Sequence, residues 1–318
     1  MLLAAVLLFA VACAEAAPRA PEQARSPAPA APASPAVPAQ PAVPATPAVD
    51  GERAFEHVKQ MVAIGPRPAG SAGIERTRAY ITAQIEAMGL KVEPQPFMAR
   101  TPIGQVAMSN LRVTLPGADP GRIIIASHYD TKPEDGFVFV GANDGGSSTG
   151  LLIELARVLK DKPRELTYEL LFFDGEEAWG DWSTGNTFGS RHYVDAAKTA
   201  RTLAGVKAMV LLDMVGERNA QLRRETSSTS WLTDIIWRTA ARLGHGSTFI
   251  NEAMAVDDDH IPFLNAGVPA ADLIDLDYPA WHTAGDTLDK IDARSLKIVG
   301  DVVVAALPEI EERLKIKD

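Results

Sequence analysis

The sequence predicts a three-layer α/β domain, with a central, mixed but mostly parallel twisted sheet and helices on both faces. Two observations indicate this class. Some apolar runs, such as residues 122–127 (RIIIAS), are continuous, as in strands that are buried on both faces. Segments with helical spacing alternate with these runs, which is typical of parallel strands joined by helices. Residues 51–318 also suffice for one domain with a large core.

The residues before this domain predict export. The apolar run at residues 1–12 has the length of a signal-peptide core and is too short to span a bilayer. We therefore predict a signal peptide over residues 1–16 and a periplasmic or extracellular protein. Cys13 lies in a context that resembles a bacterial lipoprotein signal, whereas residues 14–16 (AEA) offer an ordinary cleavage site. A membrane-anchored lipoprotein and a soluble form both stay open.

Residues 17–50 consist largely of Ala-Pro and Pro-Ala-Val units, which predict a disordered, extended linker. The formal net charge of −10 argues against nucleic acid as a partner. Cys13 is the single cysteine, so the domain after the linker has neither a disulfide nor a thiolate metal site. The sequence leaves the oligomeric state open.

The first elements of the domain are two helices and three strands. Phe55, Val58 and Met61 share one face of a helix over residues 52–64, which the GPRP that follows ends. Ser71 caps a second helix that runs to residue 88, where Gly89 stops it. Extended segments then predict strands at residues 91–97, 106–115 and 122–127.

The remaining elements continue the alternation. A Gly-rich loop at residues 141–146 opens a helix that runs through residue 159. The apolar runs at residues 167–173 and 206–212 predict buried strands, and a short strand is expected at residues 270–274. Helical segments are also predicted at residues 189–197, 231–243 and 293–314, and a loop at residues 257–260 precedes the segment 261–266.

Polar side chains collect at one edge of the predicted sheet. Glu176 and Glu177 directly follow a buried strand, where carboxylates are costly unless something pairs with them. Ligands bind beyond the carboxyl ends of strands in such sheets. Each residue alone is explained as a cap, a turn or a structural histidine. Together, the two histidines and three carboxylates fit zinc: His128, Asp144, Glu177, Asp213 and His282.

The motifs around these residues resemble those of the M28 family of zinc peptidases, in the family's order: HYD at 128–130, GAND at 141–144, EE at 176–177, LLD at 211–213 and WHT at 281–283. Within that family, longer matches are similar to the glutaminyl-peptide cyclotransferases: FFDGEEAWGDW at 172–182, FGSRH at 188–192, LLDMVG at 211–216, DDHIPFL at 258–264 and GVP at 267–269. The resemblance covers most of residues 52–315. It implies a zinc-aminopeptidase-like fold, also described as phosphorylase/hydrolase-like.

The resemblance also implies which residues hold metal. In the cyclotransferases one zinc would be held by Asp144, Glu177 and His282. In the aminopeptidases a second zinc would be completed by His128 and Asp213, with Asp144 as the bridge. We therefore expect one zinc for a cyclotransferase and two for an aminopeptidase. A metal-free binding domain, the third alternative, is disfavoured because every ligand position is filled.

The same resemblance assigns Glu176 as the proton carrier in either reaction. A cyclotransferase would take peptides or proteins that begin with glutamine and release ammonia as pyroglutamate forms, whereas an aminopeptidase would use Glu176 to activate water. Asp258 matches the aspartate that hydrogen-bonds this glutamate, and Trp182 and Trp281 match the tryptophans of the substrate pocket. Asp272 stands where the cyclotransferases carry a histidine.

Overall fold

A six-stranded sheet runs through the computed structural model, which describes residues 48–316. Two further strands pair separately as a small second sheet. In chain order the eight strands are β1 (Val92–Thr101), β2 (Gly104–Leu115), β3 (Asp119–His128), β4 (Leu166–Phe173), β5 (Val206–Asp213), β6 (Leu222–Glu225), β7 (Phe249–Met254) and β8 (Ala270–Ile274).

The large sheet has the order β1-β2-β4-β3-β5-β8. Its central and last strands, β4, β3, β5 and β8, pair in parallel. The other end is antiparallel, because β1 and β2 form a hairpin and β2 pairs antiparallel with β4. The predicted mixed, mostly parallel sheet is therefore confirmed.

Seven helices cover the two faces of this sheet: α1 (Gly51–Ile64), α2 (Ala72–Ala87), α3 (Gly146–Leu159), α4 (Phe188–Thr199), α5 (Ser230–Arg242), α6 (His260–Asn265) and α7 (Ala293–Lys315). On one face Ile123 and Ile125 of β3 share a core with α1, α2, α3, α5 and α7. On the other, Ile124 and Ala126 share a core with α4 and α6. Both faces of the strand are buried, which is why the run is continuously apolar.

Local signals set the first helix boundaries. Asp50 accepts hydrogen bonds from the backbone N–H groups of Glu52 and Arg53 and so caps α1. Ser71 caps α2 through the N–H of Ile74, as the sequence predicts. Val49 is 3% exposed and packs in the main core, so the folded region includes the last residues of the segment that composition assigns to the linker.

The sequence analysis did not predict β6 and β7. They are short, pair in parallel from Leu222↔Phe249 to Glu225↔Met254, and contain several polar or charged residues. The β1–β2 hairpin is also longer than the predicted strands, because pairing continues to Thr101↔Gly104. Hydrogen bonding to a neighbouring strand, rather than apolar periodicity, defines these segments.

The signal peptide, Cys13 and nearly all of the linker lie outside the described residues. Within residues 48–316, no helix combines the length and the apolar character that crossing a membrane requires.

Candidate metal centre and substrate cleft

Three parallel strands bring the candidate residues together. The neighbouring strands β4, β3 and β5 end at Phe173, His128 and Asp213. Parallel strands present their carboxyl ends at one edge of a sheet, so the loops that follow converge there. Glu176 and Glu177 lie in the loop after β4.

Asp144, Glu177 and His282 form one group whose potential ligand atoms all lie within 4.8 Å of one another. The Nε2 atom of His282 is 3.2 Å from Oδ2 of Asp144 and 3.3 Å from Oε2 of Glu177. The two carboxylates are buried, and the histidine is partly exposed to the cleft. The loops before α3, after β4 and after β8 each supply one residue.

His128, Asp144 and Asp213 form a second group that meets the same 4.8 Å criterion. The Nε2 atom of His128 is 3.3 Å from Oδ1 of Asp144 and 3.0 Å from Oδ1 of Asp213. Asp144 thus belongs to both groups, and it presents a different carboxylate oxygen to each histidine. All three side chains of this group are buried.

Two carboxylate oxygens in the first group fit a bound cation. Oδ2 of Asp144 and Oε1 of Glu177 are buried without a hydrogen-bond donor. A buried carboxylate oxygen without a partner is costly, and a divalent cation would satisfy it. One nitrogen and two carboxylate donors, with a side open to a cleft, match the ligand set of a catalytic zinc site.

The pKa values of Glu177 and His282 also indicate that this group of side chains favours positive charge. Burial, together with the charge on Asp144, raises the pKa of Glu177 to about 7. Burial lowers the pKa of His282, but the neighbouring carboxylates of Asp144 and Glu177 outweigh it and raise that pKa to about 9. Surroundings that favour protonation of these two side chains also favour a bound cation.

The backbone and two aromatic rings orient His282. Its φ of 50° lies in the left-handed region, which non-glycine residues adopt at a cost. Trp281 lies against the imidazole with ring centroids 4.3 Å apart, and Phe139 meets it edge-on at 5.9 Å. These contacts hold the ring on the two carboxylates.

Asp286 fixes the backbone that carries Asp144. Its two oxygens accept hydrogen bonds from the N–H groups of Asn143 at 2.8 Å and Asp144 at 3.1 Å. The hydroxyl of Tyr278 donates to the same carboxylate at 2.7 Å. Asp286 is four residues after His282, so one loop provides a ligand and also positions another.

Asp130 does the same for the loop after β4. Its oxygens accept from the N–H groups of Glu176 at 3.1 Å and Glu177 at 3.2 Å. Oδ1 also lies 3.5 Å from Nδ1 of His128, where it would orient the imidazole. The hydrogen bonds from the N–H groups of both glutamates to Asp130 were not predicted from the sequence.

Glu176 lies beside the first group and is 7% exposed. Burial raises the pKa of Glu176 well above its usual range, and the charges of Glu177 and Asp258 add to this while His128 opposes it. Asp258 lines the same cleft and accepts a hydrogen bond from the N–H of Asp259. No hydrogen bond joins the side chains of Asp258 and Glu176 in the described structure, and Asp258 acts on Glu176 only through its charge.

A cleft of about 470 Å³ opens over these groups. Trp182 and Trp281 both line it, so the structure brings the predicted pocket tryptophans to the candidate site. Its aliphatic and methionine lining residues come from the end of β8 and from the loops after β5, β7 and β8: Met214, Val256, Ile274 and Leu276. A mostly apolar cleft with converging polar groups is the usual form of a small-substrate site.

Asp272 lies in β8 and is fully buried. Neither of its carboxylate oxygens has a hydrogen-bond donor, and Nδ1 of His260 lies 3.8 Å from Oδ2. Burial raises the pKa of Asp272 well above its usual range, and Asp213 and Glu225 add to the shift.

The positioning role of Asp286 was not predicted from the sequence. The GPRP segment that contains Arg67 was interpreted only as the end of a helix. A signal for both existed. Asp286 is a charged residue four positions after the predicted ligand His282. Arg67 is a charged residue between two prolines. Neither position requires that the side chain be exposed to solvent.

Comparison with known proteins places this site in a family. The chain matches the model of peptidase family M28 over residues 110–307. It is 33% identical over 267 residues to a glutaminyl-peptide cyclotransferase of Bothrops jararaca, covering 71% of this chain and 72% of that protein. It is 32% identical over 268 residues to one of Bos taurus, covering 72% and 74%.

A solved structure agrees over a larger span. The crystal structure of an Acidobacteriales bacterium glutaminyl cyclase superimposes with a TM-score of 0.81 at 38% sequence identity, covering 87% of this chain and 100% of that one. The matched residues 110–307 contain both ligand groups, the proton-carrier candidate and the cleft tryptophans. This chain therefore belongs to peptidase family M28, in the branch that contains the glutaminyl-peptide cyclotransferases.

Proposed function

We propose that this protein is a zinc-dependent glutaminyl-peptide cyclotransferase, which converts an N-terminal glutamine to pyroglutamate and releases ammonia. One observation carries the proposal: a buried carboxyl group, Glu176, lies beside the Asp144–Glu177–His282 group at the base of a cleft that two tryptophans line. Relatives and solved structures named for this activity support it.

Asp144, Glu177 and His282 would hold the zinc ion. Two carboxylates balance the charge of one Zn²⁺, and the unpartnered oxygens of both carboxylates support this assignment. When bound, zinc would polarise the side-chain amide carbonyl of the substrate's glutamine.

Glu176 would carry one proton through the reaction. Its carboxylate takes a proton from the α-amine, whose nitrogen attacks the side-chain amide carbon. A new carbon–nitrogen bond closes the five-membered ring, and the bond to the amide nitrogen breaks as Glu176 returns the proton to it. Ammonia leaves, and no water is consumed. A carboxyl group with a raised pKa suits both halves of this transfer.

The walls of the cleft would orient the substrate and limit water. Trp182 and Trp281 present aromatic surface to the glutamine side chain. Water would compete with the α-amine for the carbonyl carbon, so an apolar lining favours cyclisation over hydrolysis. Asp258 would stabilise the protonated form of Glu176 through its neighbouring charge.

An aminopeptidase is the second candidate, and a specific observation favours it. His128, Asp144 and Asp213 form the second group, so the protein has the residues for two metal ions that share Asp144. Two carboxylates with a bridging third would support metal-assisted hydrolysis of the first peptide bond, with Glu176 as the general base.

Product mass separates the two candidates. The purified protein is incubated with a peptide that begins with glutamine, and the products are weighed by mass spectrometry. A product that has lost one ammonia and keeps every residue supports the cyclotransferase. Release of a free N-terminal amino acid, from this peptide or from one that begins with leucine, would contradict it.

We also propose that the protein is exported. The apolar run at residues 1–12 supports a signal peptide, and Cys13 is the residue that would carry a lipid. Metabolic labelling with a fatty acid, compared between the native chain and a Cys13→Ser variant, tests the anchor. Label on both chains or on neither would refute lipidation at Cys13.

A further inference from the structure

The most buried cation near the site is Arg67, which lies between α1 and α2 in the segment Pro66-Arg67-Pro68. Within residues 48–316 it is the only arginine that is fully buried. Burial of a guanidinium is expensive unless its donors are all satisfied. The acceptors of its hydrogen bonds therefore indicate what Arg67 does.

All the side-chain hydrogen bonds of Arg67 go to backbone carbonyls of the loops that carry the metal-binding residues. Nε donates to Tyr129 O at 2.9 Å, and Nη1 donates to Val140 O at 2.5 Å. Nη2 donates to Gly141 O at 2.7 Å and, more weakly, to Asp144 O at 3.4 Å. One rigid guanidinium thus joins the residue after His128 to the stretch that ends in Asp144.

The loop is shaped to admit this guanidinium. Gly141 has a φ of +49°, and a Cβ there would meet Asp144 O at 2.5 Å and Arg67 Nη2 at 3.3 Å. A Cβ on Gly146 would meet Gly141 O at 2.4 Å and Arg67 Nη2 at 3.4 Å. Both glycines therefore leave the space in which the carbonyls turn toward Arg67.

Thr131 fixes Arg67 in turn. The N–H of Arg67 donates to Oγ1 of Thr131 at 3.0 Å, and the N–H of Thr131 donates to Arg67 O at 3.4 Å. The two flanking prolines further restrict the backbone. The guanidinium is thus held from its own side as well as by its acceptors.

Four carboxylates surround this cation without forming its hydrogen bonds: Asp130, Asp144, Glu177 and Asp286. Burial lowers the pKa of Arg67 to about 10, so it stays protonated at neutral pH. Arg67 holds carbonyls of the loop between β3 and α3, and Asp286 holds N–H groups of the same loop.

We propose that Arg67 is the positioning residue of the metal centre: by binding the carbonyls of residues 129, 140, 141 and 144, it holds Asp144 and the end of β3 in the arrangement that accepts zinc before any zinc is present. This inference rests on the proposed zinc site. It goes further by assigning the preformation of that site to a residue that touches neither metal nor substrate.

The conservative variant Arg67→Lys tests the proposal, because it keeps the positive charge and loses the planar set of donors. The dissociation constant for zinc is measured on metal-free protein by competition with a chromophoric chelator. Residues that orient ligands typically change metal affinity by 10- to 100-fold, so we expect a loss of roughly that size. We also expect excess zinc to restore most of the activity of Arg67→Lys.

Arg122→Lys is the matched control. Arg122 is another largely buried arginine, but it binds Glu169 and the carbonyl of Thr202, outside the metal-binding loops. Its zinc affinity should stay within about twofold of the native value. Equal zinc affinity of Arg67→Lys and the native protein, or an equal loss in both variants, would overturn the proposal.

Thr131→Val keeps the test decisive if Arg67→Lys does not fold. It removes the acceptor of the Arg67 N–H at nearly constant volume and leaves the guanidinium in place. We expect a smaller loss of zinc affinity, and an unchanged affinity in a folded Thr131→Val protein would count against the proposal. If the native protein binds no zinc, the proposed metal site fails before Arg67 is tested, so the two failures are distinguishable.

Discussion

Asp144 illustrates how much of this site depends on single residues. One of its oxygens faces His128 and the other faces His282. Its N–H is held by Asp286 and its carbonyl by Arg67. Because both the N–H and the carbonyl of Asp144 are hydrogen-bonded, its backbone is already fixed, and its carboxylate loses little conformational entropy when it binds a metal.

The adjacent glutamates Glu176 and Glu177 should respond differently to the same substitution. Glu176→Gln removes the proton carrier but no member of the Asp144–Glu177–His282 group. General acid–base catalysis contributes about 10²–10⁴ in rate, so we expect a kcat loss in that range with zinc still bound. Glu177→Gln should lose both activity and zinc. Turnover numbers and zinc content per chain, measured on both variants, provide the test.

An active Glu176→Gln protein would show that another group moves the proton. Retention of zinc by Glu177→Gln at native affinity would show that the ligand assignment is wrong. The two variants carry the same substitution at adjacent residues of the loop after β4, so general damage to that loop should affect them equally.

Sequence reasoning could find residues whose chemistry is unusual for their position. Glu177 and Asp213 follow buried strands, and the fold then brings them to one edge. It could not find Arg67 or Asp286, because their roles depend on which carbonyl and N–H groups face them. Those contacts join residues at least 62 positions apart and have no local pattern.

At the scale of elements, apolar periodicity was sufficient where an element packs on the core. The six strands of the main sheet and six of the seven helices lie at the predicted places, with ends shifted by a few residues, whereas no helix was predicted at α6. The small β6–β7 sheet was missed because its strands are short and largely polar, so that only their mutual pairing identifies them. Tertiary pairing decided the structure there, not local preference.

The contact between α1 and α2 gives a pH-dependent stability that can be measured. His57 of α1 accepts from or donates to the hydroxyl of Tyr80 in α2 through Nδ1 at 2.7 Å. Burial lowers the pKa of His57 to about 4 from 6.5. The folded state thus disfavours the charged form, whereas the unfolded chain takes up this proton near pH 6.5.

The sign follows from this difference. The contribution of His57 is fully present above pH 6.5 and is lost as the pH falls toward 4, at a cost of at most about 3 kcal/mol. In His57→Gln the fall in unfolding free energy between pH 7 and pH 4 should be smaller by up to that amount. Urea titrations of metal-free protein at both pH values measure it.

His245→Gln serves as the control for this experiment, because His245 lies in the loop after α5 and outside the α1–α2 contact. It should keep the pH dependence of the native protein. An identical pH dependence in His57→Gln and the native protein would mean that the histidine is not desolvated by the contact with α2.

At the scale of the whole molecule, the proposed metal site ties distant parts of the chain. Asp144, Glu177 and His282 come from three loops, and the first and last of them bracket β4, β5, the small sheet and β8. A metal ion bound there would link residues that are far apart in the chain and so close long loops. No covalent cross-link joins these residues.

Metal removal should therefore destabilise the entire domain. At a zinc concentration about 1,000 times Kd, binding contributes about 4 kcal/mol, which corresponds to a Tm shift of roughly 10 °C for a domain of this size. Scanning calorimetry with and without a chelator measures the shift, and Glu177→Gln should show almost none. A native Tm that is insensitive to the chelator would contradict a structural link through zinc. Metal analysis of the same samples counts the ions: about one per chain supports the cyclotransferase, whereas two would show that His128 and Asp213 complete a second site.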